Sequence, residues 1–255
     1  MMLENPTRDR LRELRLNAMV EEWDRQTADA EVAGRSFEDR LGLLVDAEWT
    51  TRSNRRLHRR VQEAHLRLLA LPEDLDWRAP RGLDAPQVRS LLKGAWIPAH
   101  QTVVITGPTG VGKTFVLCAL GYAACRQDFR VGYFRLARLF GDAALARAEG
   151  RWLRWLQRLA RYDLLLLDDW GLDSFGLEAG QDLLEIIDDR YQVKATAIAS
   201  QTPVDQWHGL FQDPTVADAV LDRLVHHAHH LTMRGESMRK ILPNRETNGT
   251  TNSTT

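Results

Sequence analysis

The sequence predicts an α/β fold, a parallel sheet covered by helices on both faces, preceded by a small all-helical domain. Three observations carry this. From about residue 95 onward, short apolar or β-branched runs alternate with longer helical patterns, as in successive βαβ units. Residues 103–115, VVITGPTGVGKTF, set a glycine loop between one such run and a helical stretch. Residues from about 7 to 70 are rich in Leu, Arg, Glu and Ala and contain no Pro, so they read as helical throughout.

Within the helical part, Ser36 with Asp39 three residues on marks a helix N-terminus. The stretch LPEDLDWRAPRGLDAP, 71–86, holds three prolines and breaks the pattern. The expected organisation is a helical domain at 1–70, a linker and entry segment at 71–94, the sheet domain at 95–245 and a polar tail at 246–255. The tail's composition suits disorder. Five strands are expected, at 102–106, 130–134, 163–168, 195–199 and 229–233, with no internal repeat.

Composition excludes several classes. A hydrophobic share of 44% over 255 residues permits an ordinary core. No apolar run reaches the length of a membrane span, and MMLENPTRDR has no apolar segment of a signal peptide. Cys118 and Cys125 fall in one predicted helix, where a shared disulfide is geometrically implausible, so a cytoplasmic setting is expected. The sequons at Asn248 and Asn252 are then chance matches. Net charge is −1, but of 34 basic residues only four are Lys, and the arginines cluster.

The glycine loop carries the chemistry. Gly107, Gly112, Lys113 and Thr114 fit G-x-x-x-x-G-K-[ST], in the strand–loop–helix context the motif requires. The segment Gly107, Pro108, Thr109, Gly110, Val111, Gly112, Lys113, Thr114 and Phe115 would wrap the phosphates of ATP, its backbone N–H groups turned toward them and aided by the helix dipole. Lys113 would reach the β- and γ-phosphates, and the Thr114 hydroxyl would hold Mg2+. Four leucines, Leu164 to Leu167, then deliver Asp168 and Asp169 at a strand end. Asp168 suits the second metal contact and Asp169 the attacking water. Ser200 and Gln201 end the fourth strand, where a polar side chain can sense the γ-phosphate. Arg223 precedes the last strand and Arg239 follows it; either can bring a guanidinium to a phosphate, and spacing does not choose between them. His226, His227, His229 and His230 lack the patterned ligands of a zinc site.

Taken together, SFEDRLGLLVDAEWTTRSNRRLHRRVQEA (36–64), GPTGVGKT, LLLLDDWGL (164–172), SQTPVDQWH (200–208), LDRLVHHA (221–228) and RGESMRK (234–240) resemble the IstB-type transposition helper ATPases of the AAA+ superfamily, relatives of the DnaC-type helicase loaders. The resemblance spans nearly the whole chain to residue 240. It implies an AAA+ P-loop fold, Arg223 as an arginine finger, Arg239 as a C-terminal sensor and Gln201 or Ser200 as the sensor of the fourth strand. Phe115 departs from a frequent His, and Asp169 stands where many relatives carry the longer Glu.

Two arginine stripes bear on what hydrolysis drives. Arg52, Arg55, Arg56, Arg59 and Arg60 share one helix face by spacing, with Leu57, Val61, Ala64 and Leu68 opposite and Arg67 extending the charge. Arg147, Arg151, Arg154, Arg158 and Arg161 align on a second helix, flanked by Trp152 and Trp155, with Leu153, Leu156 and Leu159 away from them. Read as unpaired, each has the pattern of a phosphate footprint, and at least one of them is expected to hold duplex DNA by its backbone with little sequence preference. The reading is a DNA-binding, ATP-hydrolysing regulator of transposition. It forms homo-oligomers with ATP at subunit interfaces and recruits a partner transposase. The alternative is a helicase loader acting on single strands and a ring helicase. A small-molecule kinase would leave the arginine stripes without a role, and a non-hydrolysing binding module would follow if Asp169 is too short.

Overall fold

The computed structural model describes residues 6–79 and 81–238, and the chain divides into two compact units, 1–59 and 60–255. The first unit holds α1 (Pro6–Glu13), α2 (Asn17–Ala28), the short α3 (Ala30–Ala33) and most of α4 (Phe37–Ala64). Ser36 caps α4: its hydroxyl accepts the Asp39 N–H at 3.2 Å and donates to the Asp39 carboxylate at 2.7 Å. Buried Glu48 of α4 does the same service for another helix. It accepts the N–H groups of Ala18 and Met19 in the first turn of α2, which has no cap of its own.

Helix α4 continues into the second unit and stops at Ala64, short of the expected residue 70. His65 adopts φ 50°, a left-handed C-terminal stop. The following segment carries a 3₁₀ turn, Pro72–Asp74, and α5 (Ala85–Leu92), whose N-terminus is capped by Asp84.

The sheet then forms as the alternation predicts. Its strands are β1 (Thr102–Thr106), β2 (Val131–Arg135), β3 (Leu164–Trp170), β4 (Ala195–Ser200) and β5 (His229–Thr232). All pair in parallel, in the order β2-β3-β4-β1-β5. The crossovers are α6 (Lys113–Arg126), α7 (Leu136–Ala148), α8 (Trp152–Ala160), α9 (Leu177–Arg190) and α10 (Pro214–Val225). Period-2 alternation splits the leucine run of β3 between the two faces. Leu165 and Leu167 join Val104 and Ile198 in a core with Leu139, Leu159, Ile186 and Val220, whereas Leu166 lies against Gly121 of α6. Among the described residues no helix is long and apolar enough to cross a membrane.

One buried cation organises the far end of the sheet. Arg190 is 2% exposed and donates to the carbonyls of Leu159, Tyr162 and Ala195 and to the Thr196 hydroxyl. Burial lowers its pKa to about 10, partly offset by Asp163, so it stays charged at neutral pH. Replacing it by Met should therefore take a donor from three carbonyls, of which Leu159 O keeps the Tyr162 N–H, and cost roughly 2–4 kcal/mol, read as a lower denaturation midpoint. Cys118 and Cys125 are free and buried, with burial raising their thiols to about 11 and about 12. Both should resist iodoacetamide at pH 8 in the folded protein and react once it is unfolded in urea.

Candidate nucleotide site and basic surfaces

The loop after β1 wraps back toward α6. Gly107, Gly110 and Gly112 have φ of 149°, 88° and 99°. At Gly107 a Cβ would collide with the Met233 carbonyl, so only glycine lets β5's exit pass there. The segment beyond β5 also closes on the loop through Met233 N–H to Thr106 O, 2.7 Å, and Met238 N–H to Gly110 O, 2.9 Å. Lys113 opens α6, with its ammonium donating to the carbonyls of Gly107 and Pro108 at 2.7 and 2.8 Å. Burial lowers its pKa, against the attraction of Asp168 and Asp169. Val111 is buried, and Phe115 is half-buried in the first turn of α6.

The acids come from a break in β3. Its register with β4 shifts between Leu167 and Trp170, and Asp169 takes φ 60°. Such an irregularity re-aims side chains at a strand end. Asp168 is 2% exposed, and its carboxylate accepts the hydroxyls of Thr114 at 2.8 Å and Tyr133 at 2.7 Å and the Asp169 N–H at 2.9 Å. Burial first, then this bond, raises the Tyr133 phenol, which remains a donor. Asp169 is paired with Arg135 at 2.7 Å, and Arg67 stands 3.8 Å from both acids. The strong bond to Asp169 raises the already high pKa of Arg135.

Thr114 and Asp168 offer two hard oxygen donors side by side. That set fits Mg2+, which keeps waters and takes its other ligands from phosphates. Among the described residues no cluster of three or more His, Cys, Asp or Glu could hold a metal. His229 bonds Gln101, and His226 faces Asp222.

The two strand-end candidates separate. Gln201 accepts the Thr109 hydroxyl at 2.5 Å and so touches the loop. The Ser200 hydroxyl is wholly buried, bonded to Trp170 O and Thr202. Arg223 is not brought to the loop. It pairs with Asp188 at 2.7 Å and lines a cavity with Thr102 and Thr196, at the opposite ends of β1 and β4. Arg239 lies outside the described residues. Sequence reasoning missed Tyr133 and Arg135 and placed Arg67 only with the first arginine stripe. Only their place at the end of β2 or beyond α4 hints at them.

The arginine stripes need correction, because the expectation of unpaired charge holds for only some of their members. On α4, Arg52 pairs with Glu48 at 2.7 Å, Arg56 bonds Ser53, Arg60 pairs with Asp128 at 2.6 Å, and Arg59 is also engaged. Arg55 is exposed without a partner among the described residues. The second stripe is not one helix: Gly150, φ 65°, separates α7 from α8. Arg147 is drawn to Asp182 and Glu185 and lies 3.7 Å over the Trp152 ring, and Arg151 pairs with Glu149. Arg154, Arg158 and Arg161 remain exposed and line a groove of about 730 Å³ with Arg151 and Trp155. Trp155, Leu156 and Leu159 are buried beneath them, while Leu153, expected to turn inward, is exposed.

A profile of the IstB-like ATP binding protein family matches residues 9–245. A putative insertion sequence ATP-binding protein of Sinorhizobium fredii, y4pL, is 46% identical over 239 residues, 94% of this chain and 98% of that protein. Among solved structures, AMPPCP-bound DnaA from Aquifex aeolicus superposes with TM-score 0.57 at 21% identity, over 69% of this chain and 54% of that one. DnaI gives TM-score 0.57 at 17% identity, over 65% and 91%. These structural likenesses establish the AAA+ P-loop fold.

Asp168→Asn keeps the shape of the carboxylate and removes its charge. Nucleotide affinity in EDTA should stay within about threefold of wild type, while the strengthening by Mg2+ is lost and turnover falls at least ~100-fold. Titrations with and without Mg2+ and a phosphate-release assay check this.

Proposed function

The chain belongs to the IstB-like ATP-binding family, and from that premise we propose that it is a Mg2+-dependent ATPase that acts on duplex DNA in transposition. The observation that carries the hydrolytic reading is the Thr114–Asp168 contact of 2.8 Å with Asp169 turned out beside it. Mg2+, when bound, would neutralise developing charge on the phosphates. Lys113 would leave its two carbonyl partners for the β- and γ-phosphates. Asp169 would orient the attacking water and accept its proton, and Gln201 would report the γ-phosphate through Thr109.

Arg223 supports an assembled state. It lies at the sheet end away from its own loop, so a role as arginine finger requires a neighbouring subunit. Arg239, at the C-terminal sensor position of the family pattern, belongs to the same reading. The groove along α8 supports the DNA reading: Arg154, Arg158 and Arg161 present charge with no described counter-ion. It has no base-reading motif, so backbone contacts and steep salt dependence follow. Arg55, the free member of the α4 stripe, would add to this if that surface also meets DNA. A transposase is the proposed partner, since the similar S. fredii protein is named for an insertion sequence.

The test is ATP turnover with random-sequence duplex, with single strands, and without DNA, using Lys113→Ala as the blank. Stimulation by duplex is expected. Preference for single strands would favour a helicase loader, and indifference to both would remove DNA from the account. The double variant Arg154→Ala/Arg158→Ala should lower duplex affinity and flatten the log–log salt slope by about 2, one counterion for each lost phosphate contact.

A further inference from the structure

Arg81 is a feature of the nucleotide site that no motif marks. It sits in the Pro-rich segment before α5, and its carbonyl accepts the Arg234 N–H at 2.8 Å, joining the entering chain to the one leaving β5. Its side chain turns inward and is only 5% exposed. Nη2 donates to the Asp76 carbonyl at 2.7 Å. Nε is buried with no acceptor among the described residues. Nη1 faces the phosphate loop: a Cβ on Gly112, which has φ 99°, would stand 2.9 Å from it.

Such burial is costly for a cation that has acceptors for only some of its donors. Burial lowers the pKa of Arg81, with only Asp76 in opposition, yet an arginine does not give up its proton at neutral pH. A buried cation short of acceptors destabilises the state that contains it. An oxygen acceptor beside Gly112, best an anion, would serve the Nη1 edge of this buried cation. The loop's own ligand would be such an acceptor.

We propose that Arg81 is a nucleotide-binding residue whose Nη1 donor, on the guanidinium edge beside Gly112, binds a phosphate oxygen of the nucleotide held by the loop. The inference rests on the ATP-binding reading of that loop and adds a contact from outside the motif. It also links occupancy of the loop to the Arg81–Arg234 junction, through which the segment after β5 is held.

Arg81→Met and Arg81→Lys test it by two readouts. The first is the thermal midpoint without nucleotide, and the second is the Kd for ATP, ADP and adenosine with Mg2+ present. Arg81→Met removes the unsatisfied cation, so its midpoint should equal or exceed that of wild type. Its Kd for ATP and ADP should rise about tenfold or more, as for loss of a charged hydrogen bond, with adenosine unaffected. Arg81→Lys keeps the charge without the fork and should rise less, by about threefold. Unchanged ATP and ADP affinity in either variant would overturn the proposal. So would an equal loss for adenosine, or a Met variant that melts lower while the Lys variant binds as wild type. Failure of the wild type to bind ATP would be a different result, overturning the reading beneath the proposal and Arg81's role with it.

Discussion

Everything at the candidate site depends on one buried carboxylate. Asp168 is carried to the end of β3 by four leucines that must be covered on both faces, and there it meets three donors from three places in the chain. A carboxylate so enclosed is tolerable only while its oxygens are satisfied. Thr114 ties it to α6, Tyr133 to β2, and the Asp169 N–H to the kinked turn that follows. The left-handed Asp169 is thus part of the same device: its backbone serves Asp168 and its side chain is freed to turn outward, toward Arg135.

The acidic pair is faced by cations of differing exposure. Lys113 is fixed at a helix start with its charge on two carbonyls, whereas Arg135 and Arg67 approach from more exposed positions. Both acids thus have cations of the protein itself close by. A nucleotide with its metal has to replace these contacts, which makes an unfilled donor such as those of Arg81 stand out against its surroundings.

How much of this was legible in the sequence varied with the range of the interaction. The loop, the strand order of events and the delivery of Asp168 and Asp169 depend on local pattern, and β1, β3 and β4 formed where the apolar runs predicted them. The helix was overextended past Ala64 because composition gives no sign of a left-handed His65. Tyr133, Arg135, Arg67 and Arg81 gain their meaning only from tertiary neighbours. The arginine stripes show the limit most clearly. Spacing described the α4 face correctly, but Asp128 and Asp182, the acids that quench Arg60 and Arg147, lie far away in sequence. Glu48, by contrast, stands four residues before Arg52, the spacing of an ordinary helix ion pair. Gly150, which splits the second stripe, was a break signal of the ordinary kind.

The measurement that bears most directly on the account is a crystal structure with a non-hydrolysable ATP analogue and Mg2+. The account requires the direct Thr114–Asp168 hydrogen bond to open, with both oxygens turned to the metal or its waters, and the Lys113 ammonium to leave the carbonyls of Gly107 and Pro108 for the phosphates. A bound nucleotide with the Thr114–Asp168 and Lys113 contacts still intact would contradict it.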